Sequence, residues 1–192
     1  MQDKEETARK YIQKVIEGDM RSFNYLIDEY KDMSFSIAMS IVKDETLAGE
    51  VVQDAFVKVF RKLKTFKGKA KFSTWLYRIV VNTALSNRRK AAREIIEYVE
   101  DYSEDSISST TNVLQDMNEE EQQKYINRTL ERMNPKESLI MRLYYLNDNN
   151  HKEISEITSL SISNIKVILH RARSNFYGIL HSQLKTEIRS LL

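Results

Sequence analysis

The sequence predicts an all-α protein of two small helical domains, residues 1–93 and 119–192, joined by an acidic, flexible linker at 94–118. Three observations predict it. Four Gly and one Pro in 192 residues leave little material for the turns that a sandwich or barrel of many short strands requires. Apolar residues recur three and four positions apart over most of the chain, the spacing of helices that bury one face. Charge, finally, is sorted along the chain although the net value is only +2. Phe56 to Arg93 holds twelve Lys and Arg and no acid, Glu94 to Gln123 ten acids and no base, and Lys124 to Leu192 eleven bases against six acids. The acidic stretch, with Ser and Thr crowding 103–111, is too charged and too polar to offset its ordering entropy by burial, so it reads as a mobile tether. The basic run has a plain alternative, a solvated helix face. Such faces intersperse both signs, as i,i+4 pairing favours, whereas a single-sign run repels itself unless a polyanion relieves it.

In the first domain Tyr11, Ile12, Val15 and Ile16 make one apolar stripe, ended by Gly18-Asp19. Phe23, Leu26, Ile27 and Tyr30 make a second, and Phe35, Ala38, Ile41 and Val42 a third. The carboxylate of Asp44 can accept from the unpaired amides of a first turn, so a longer helix starts there. Its inward side is Leu47, Val51, Val52, Ala55, Phe56, Val59, Phe60 and Leu63, and its outward side Glu45, Gln53, Asp54, Lys58, Arg61 and Lys62. Val57 lies among those outward charges, a placement that suits an interface. A loop from Lys64 to Phe72 contains Gly68, and Ser73 caps a helix burying Trp75, Leu76, Ile79, Val80, Thr83 and Leu85.

In the second domain the pattern predicts a helix over 119–133 with Tyr125, Ile126, Thr129, Leu130 and Met133 on one side. Pro135 restarts the chain at a position where a missing amide hydrogen leaves nothing unpaired. That helix buries Leu139, Ile140, Leu143 and Leu146 and stops at Asn147-Asp148-Asn149-Asn150. A short helix from about His151 to Thr158, with Ile154 and Ile157 inward, meets the turn Ser159-Leu160-Ser161. Ser161 caps a last long helix carrying Ile165, Ile168, Leu169, Ala172, Phe176, Ile179 and Leu180. Short helix, tight turn, longer helix with a basic polar face is the helix-turn-helix arrangement, whose second helix enters the major groove.

The residues that catalysis requires are missing in combination. No Cys means no disulfide, thiolate metal site or cysteine nucleophile, and fits a reducing compartment. His151, His170 and His181 are scattered, no Gly-rich phosphate loop occurs, and the acids of the linker lack the order of a calcium loop. The expectation is therefore no enzyme, no cofactor and no metal. Met1 to Glu6 is charged where a secretory leader is apolar, and no apolar run approaches a membrane span, so the expectation is a cytoplasmic chain with no membrane insertion.

Both domains resemble a known family. Asp44–Phe66, DETLAGEVVQDAFVKVFRKLKTF, resembles the core-polymerase-binding segment of bacterial sigma-70 factors of the extracytoplasmic function (ECF) group. Phe72–Ala84, FSTWLYRIVVNTA, resembles the −10 recognition segment of that group, and Glu153–Arg173 its −35-reading helix-turn-helix. The resemblance implies a region 2 helical bundle at 1–93 and a region 4 helix-turn-helix at 119–192. The implied function is a transcription initiation factor that joins core RNA polymerase, directs it to promoters and aids strand separation. The implied partners are the clamp coiled coil of the largest subunit, the β-subunit flap, promoter DNA as duplex and single strand, and an anti-sigma factor.

The resemblance also assigns residues. Lys67, Lys69, Lys71, Phe72, Arg78, Asn82, Arg88 and Arg89 fall to the −10 element, with Asn82 against an extruded base and the cations on phosphates, while Trp75, by its place on the apolar stripe with Ile79, is expected in the core. Gln53, Asp54, Val57, Lys58 and Arg61 fall to the polymerase clamp. Ser163, Asn164, Lys166, Val167, His170, Arg171 and Arg173 fall to the −35 element. The chain departs from many relatives at Val167-Ile168, where they carry Ser followed by Arg, and at Ser159 and Ser163, one of which they replace by Gly. The alternative is a stand-alone helix-turn-helix regulator, which leaves the basic first domain without a role.

Overall fold

The computed structural model describes residues 2–92 and 118–191. The stretch expected as the linker lies outside the described residues up to Asn118. Among the described residues there are eight α-helices and no strand. The first lobe holds α1 (Gln2–Ile16), α2 (Phe23–Val42), α3 (Glu45–Lys62) and α4 (Phe72–Ala92). The second holds α5 (Glu119–Arg132), α6 (Pro135–Met141), α7 (His151–Thr158) and α8 (Ile162–Leu191).

Helix starts follow capping chemistry. Asp44 accepts from the Leu47 amide at 2.7 Å and begins α3 as expected. Asn118 and Asn150 each form a reciprocal capping box, with Glu121 and Glu153, and Asn134 accepts from the Lys136 amide while Pro135 fills the first helical position. Four expectations are corrected. The second and third stripes belong to one helix of 20 residues, because no Gly or Pro in Lys31-Asp32-Met33-Ser34 interrupts it. Ser73 is the second residue of α4 and not its cap. Leu85 is 38% exposed, since the inward stripe of α4 runs through Leu76, Val80, Thr83 and Ala84. Leu146 is 42% exposed because α6 continues into one π-helical turn, Arg142–Leu146, whose wider spacing rotates the end of the stripe outward.

The two lobes pack together. Helix α4 lies along α7 and α2 along α6, and one apolar cluster runs from Ala8 in α1 to Ala172 in α8. Polar contacts fasten this joint. Lys43, in the left-handed conformation at the end of α2 (φ 58°), sends its ammonium to the carbonyls of Glu131 at 2.6 Å and Met133 at 3.0 Å. It thereby satisfies acceptors that the C-terminus of α5 leaves unpaired. Lys71 pairs with Glu153 at 2.8 Å, and Arg142, 4% exposed, donates to the Ser36 hydroxyl. Burial first, then the neighbouring Arg142 and Arg88 charges, push the Lys43 ammonium down to about 8, against the pull of Glu131.

Candidate nucleic-acid interface

The recognition helix is built by its turn. Thr158 ends α7, Ser159 takes the left-handed conformation at φ 61°, and Ser161 accepts from the Asn164 amide to open α8. Ser155 donates to the Leu160 carbonyl at 2.6 Å and stiffens the same corner. Inside, Ile154 and Ile157 of α7 meet Ile165, Ile168 and Leu169 of α8, all buried. With that stripe fixed, the 3.6-residue period throws Ser163, Asn164, Lys166, Val167, His170, Arg171 and Arg173 outward, and all seven are exposed. Val167 is 50% exposed, an apolar side chain on the same face as Lys166 and Arg171. Arg173 differs from the other six, for its Nε donates to the Tyr145 hydroxyl at 2.6 Å and its guanidinium lies over that ring. Tyr145 holds that guanidinium at the margin of the face.

The second surface runs over the loop before α4 and along that helix. Lys67, Lys69, Arg78, Asn82 and Arg88 are exposed, and the Arg89 side chain lies outside the described residues. Asn82 therefore presents its amide, able to donate and accept along one base edge, from a helix anchored by Leu76, Tyr77, Val80 and Val81. Phe72 is corrected: it is fully buried, its ring edge-on to Tyr30 at 5.3 Å and 5.9 Å from Trp75. At the first turn of α4 its ring packs into the core and is not presented at the surface. Trp75 is half-buried between Phe66 and Phe72, so it belongs to that aromatic cluster. Lys71, half-buried, spends its charge on Glu153 across the joint between lobes.

The third surface lies on α3. Gln53, Asp54, Val57, Lys58 and Arg61 are exposed on one side, and Phe60, expected on the inward side, is corrected to 41% exposed beside them. Lys58 also donates to the Thr83 hydroxyl at 3.0 Å, which ties α3 to the residue after Asn82. Sequence reasoning missed two contributors. Glu5 of α1 accepts from the Phe72 amide at 2.7 Å and so caps α4 from a distant segment, and Arg9 reaches the Gly68 carbonyl at 3.4 Å. No pattern local to residues 64–72 announces a cap supplied 67 residues away.

Among the described residues, no group of three or more His, Asp or Glu stands close enough to hold a metal ion. No helix among them is long and apolar enough to cross a membrane.

Comparison with known proteins gives a concordant result. Residues 26–94 match the family model of Sigma-70 region 2, and residues 123–175 that of Sigma-70, region 4. The ECF RNA polymerase sigma-E factor of Escherichia coli K12 is 29% identical over 174 residues, covering 87% of this chain and 91% of that protein. The RNA polymerase sigma-H factor of Pseudomonas aeruginosa is 38% identical over 80 residues, 42% of each chain. Among solved structures, CnrH in complex with the cytosolic domain of CnrY aligns with a TM-score of 0.62 at 21% identity, over 92% of this chain and 98% of that one. The sigma factor RpoE in complex with the anti-sigma factor NepR from Bartonella quintana aligns at 0.63 with 20% identity, over 84% and 98%.

Proposed function

The chain belongs to the sigma-70 family, with region 2 followed by region 4, and from that premise we propose how its three surfaces divide the work of promoter selection. As a promoter-specificity factor it binds core RNA polymerase and promoter DNA. The face of α8 from Ser163 to Arg171 reads the −35 duplex from the major groove. Asn82, with Lys67, Lys69, Arg78, Arg88 and Arg89 around it, captures the −10 strand once a base leaves the stack. Gln53, Asp54, Val57, Lys58 and Arg61 grip the polymerase clamp. The exposed Asn82 amide on a rigid, basic helix supports this division most.

Strand separation on this reading needs no reacting group. A protein that binds the unstacked strand more tightly than the duplex shifts the equilibrium by that difference in affinity, and phosphate contacts supply most of the rest. The chain then acts by binding and not by catalysis, in the cytoplasm where the polymerase works. The −10 and −35 elements lie roughly 25 base pairs apart, on the order of 85 Å of B-form duplex at 3.4 Å per step. Helices in contact have axes about 8–10 Å apart. With α4 against α7 the two readers cannot span the elements, so the lobes part when the polymerase takes them up. An anti-sigma protein that holds the lobes together is the expected antagonist.

Run-off transcription on fragmented genomic DNA tests the reading. Core polymerase with the chain is expected to start at discrete sites where core alone does not. A chain that leaves the polymerase promoter-blind, or binds promoters without joining it, returns the stand-alone regulator.

A further inference from the structure

We infer that Glu5 of α1, aided by Arg9, is a positioning residue that fixes the lysine-rich loop and the first turn of α4 for capture of the melted strand. The inference rests on the strand-capturing role given above to that loop and helix. The region 2 match starts at residue 26, so α1 lies outside it, yet α1 reaches the loop at two points. Glu5 accepts from the Phe72 amide at 2.7 Å, and Arg9 donates to the carbonyl of Gly68, the turn residue at φ 66°. The two side chains hold each other at 3.6 Å.

The loop needs an outside anchor. Residues 64 to 71 hold Lys64, Lys67, Lys69 and Lys71 with no acid, so within its own sequence nothing opposes splaying. Lys71 and the Tyr30 hydroxyl of α2 lie within electrostatic reach of the Glu5 carboxylate, which faces Arg9 on its own helix. Phe72, the residue whose amide Glu5 holds, is also the hub of the cluster with Phe66, Tyr30 and Trp75. Fixing that amide sets the exit of the loop and the start of the helix that carries Arg78 and Asn82. A loop ordered in advance spares the ordering cost when the strand binds.

The ionised carboxyl is held there against a desolvation cost. Burial raises the Glu5 carboxyl above its ordinary value, although the Phe72 amide, Arg9 and Lys71 all favour the charge. A carboxyl raised in the folded state makes the ionised form, present at neutral pH, a cost to folding. The geometry accepts that cost and gains a defined loop.

The test uses holoenzyme assembled from core polymerase and the full chain, with a fluorescent fork-junction probe from a promoter found by run-off transcription. Glu5→Ala is expected to weaken binding of the fork probe five- to tenfold while core affinity stays at the wild-type value and the thermal midpoint falls only by the few degrees that a lost helix cap costs. Glu5→Gln, whose amide oxygen still accepts from Phe72, is expected to recover most of the loss. Wild-type fork affinity in Glu5→Ala overturns the inference. So does a loss of core affinity as large as the loss of fork affinity, which marks a merely structural role, or a Gln variant no better than Ala. A wild-type holoenzyme that does not prefer the fork to the duplex overturns the strand-capturing reading itself.

Discussion

The recognition face of α8 and the loop-and-α4 face of the first lobe are both basic, but they are made differently. On α8 the seven sequence-predicted readers fall on one side of a single helix, held by one apolar stripe, and all are exposed. On the first lobe the readers come from a loop and a helix whose relation is set by a third segment, α1, and two are drawn inward: Phe72 into the core and Lys71 onto Glu153. On the function proposed above, the difference follows from the task. A duplex groove offers a fixed surface that one straight helix can match, whereas a displaced strand must be gripped by backbone cations and a base contact together.

Mutations sharpen this contrast. The largest effect is expected from Asn82→Ala, which removes a two-sided base contact of about 1–3 kcal/mol. Permanganate reactivity at the −10 element should fall about tenfold or more, with core binding unchanged, and equal promoter melting by the variant removes Asn82 from the strand grip. Next comes Lys43→Met at the joint between lobes. It deletes hydrogen bonds to the carbonyls of Glu131 and Met133, worth about 0.5–1.5 kcal/mol net, since the desolvation that lowers the Lys43 pKa offsets the extra strength of a charged donor. Energy transfer between dyes on the two lobes should report separation in the free chain, and unchanged transfer means that apolar packing alone holds the joint.

Lys166→Ala bears on α8 alone. If Lys166 neutralises one phosphate, promoter affinity falls a few-fold and the log–log salt slope flattens by about 0.9. An unchanged slope places Lys166 off the backbone. The smallest effect is expected from pH. Lys43 carries a folded value of about 8 against an ordinary 10.5, so between those limits the separated lobes bind a proton that the packed lobes do not. Packing should therefore tighten as pH rises through that window, and the same dye pair reads it. Loss of the trend in Lys43→Met assigns it to this side chain.

What was legible in the sequence is what depends on neighbours along the chain. The caps at Asp44 and Ser161, the helix start at Pro135, the helix-turn-helix corner and the outward side of α8 all follow from short-range hydrogen bonds, the fixed φ of proline and the 3.6-residue period. That is why the −35 face needed no correction of exposure. Leu146 resisted the same reasoning because a π-turn changes the period without changing the composition. Phe72 resisted it because an aromatic residue at the mouth of a basic loop has the same local sequence whether it stacks on a base or closes a core.

By itself the sequence determined the all-helical class, most of the buried stripes, the order of the two regions and the cationic character of the two surfaces proposed for DNA, since these rest on local periodicity and charge. The tertiary structure alone decided that Glu5 caps α4, that Lys43 seals the end of α5, that Phe72 turns inward and that the lobes share one core. Each of these joins residues far apart in the chain. No local pattern encodes such a pairing, because the burial and unpaired backbone groups that drive it exist only after the helices have packed.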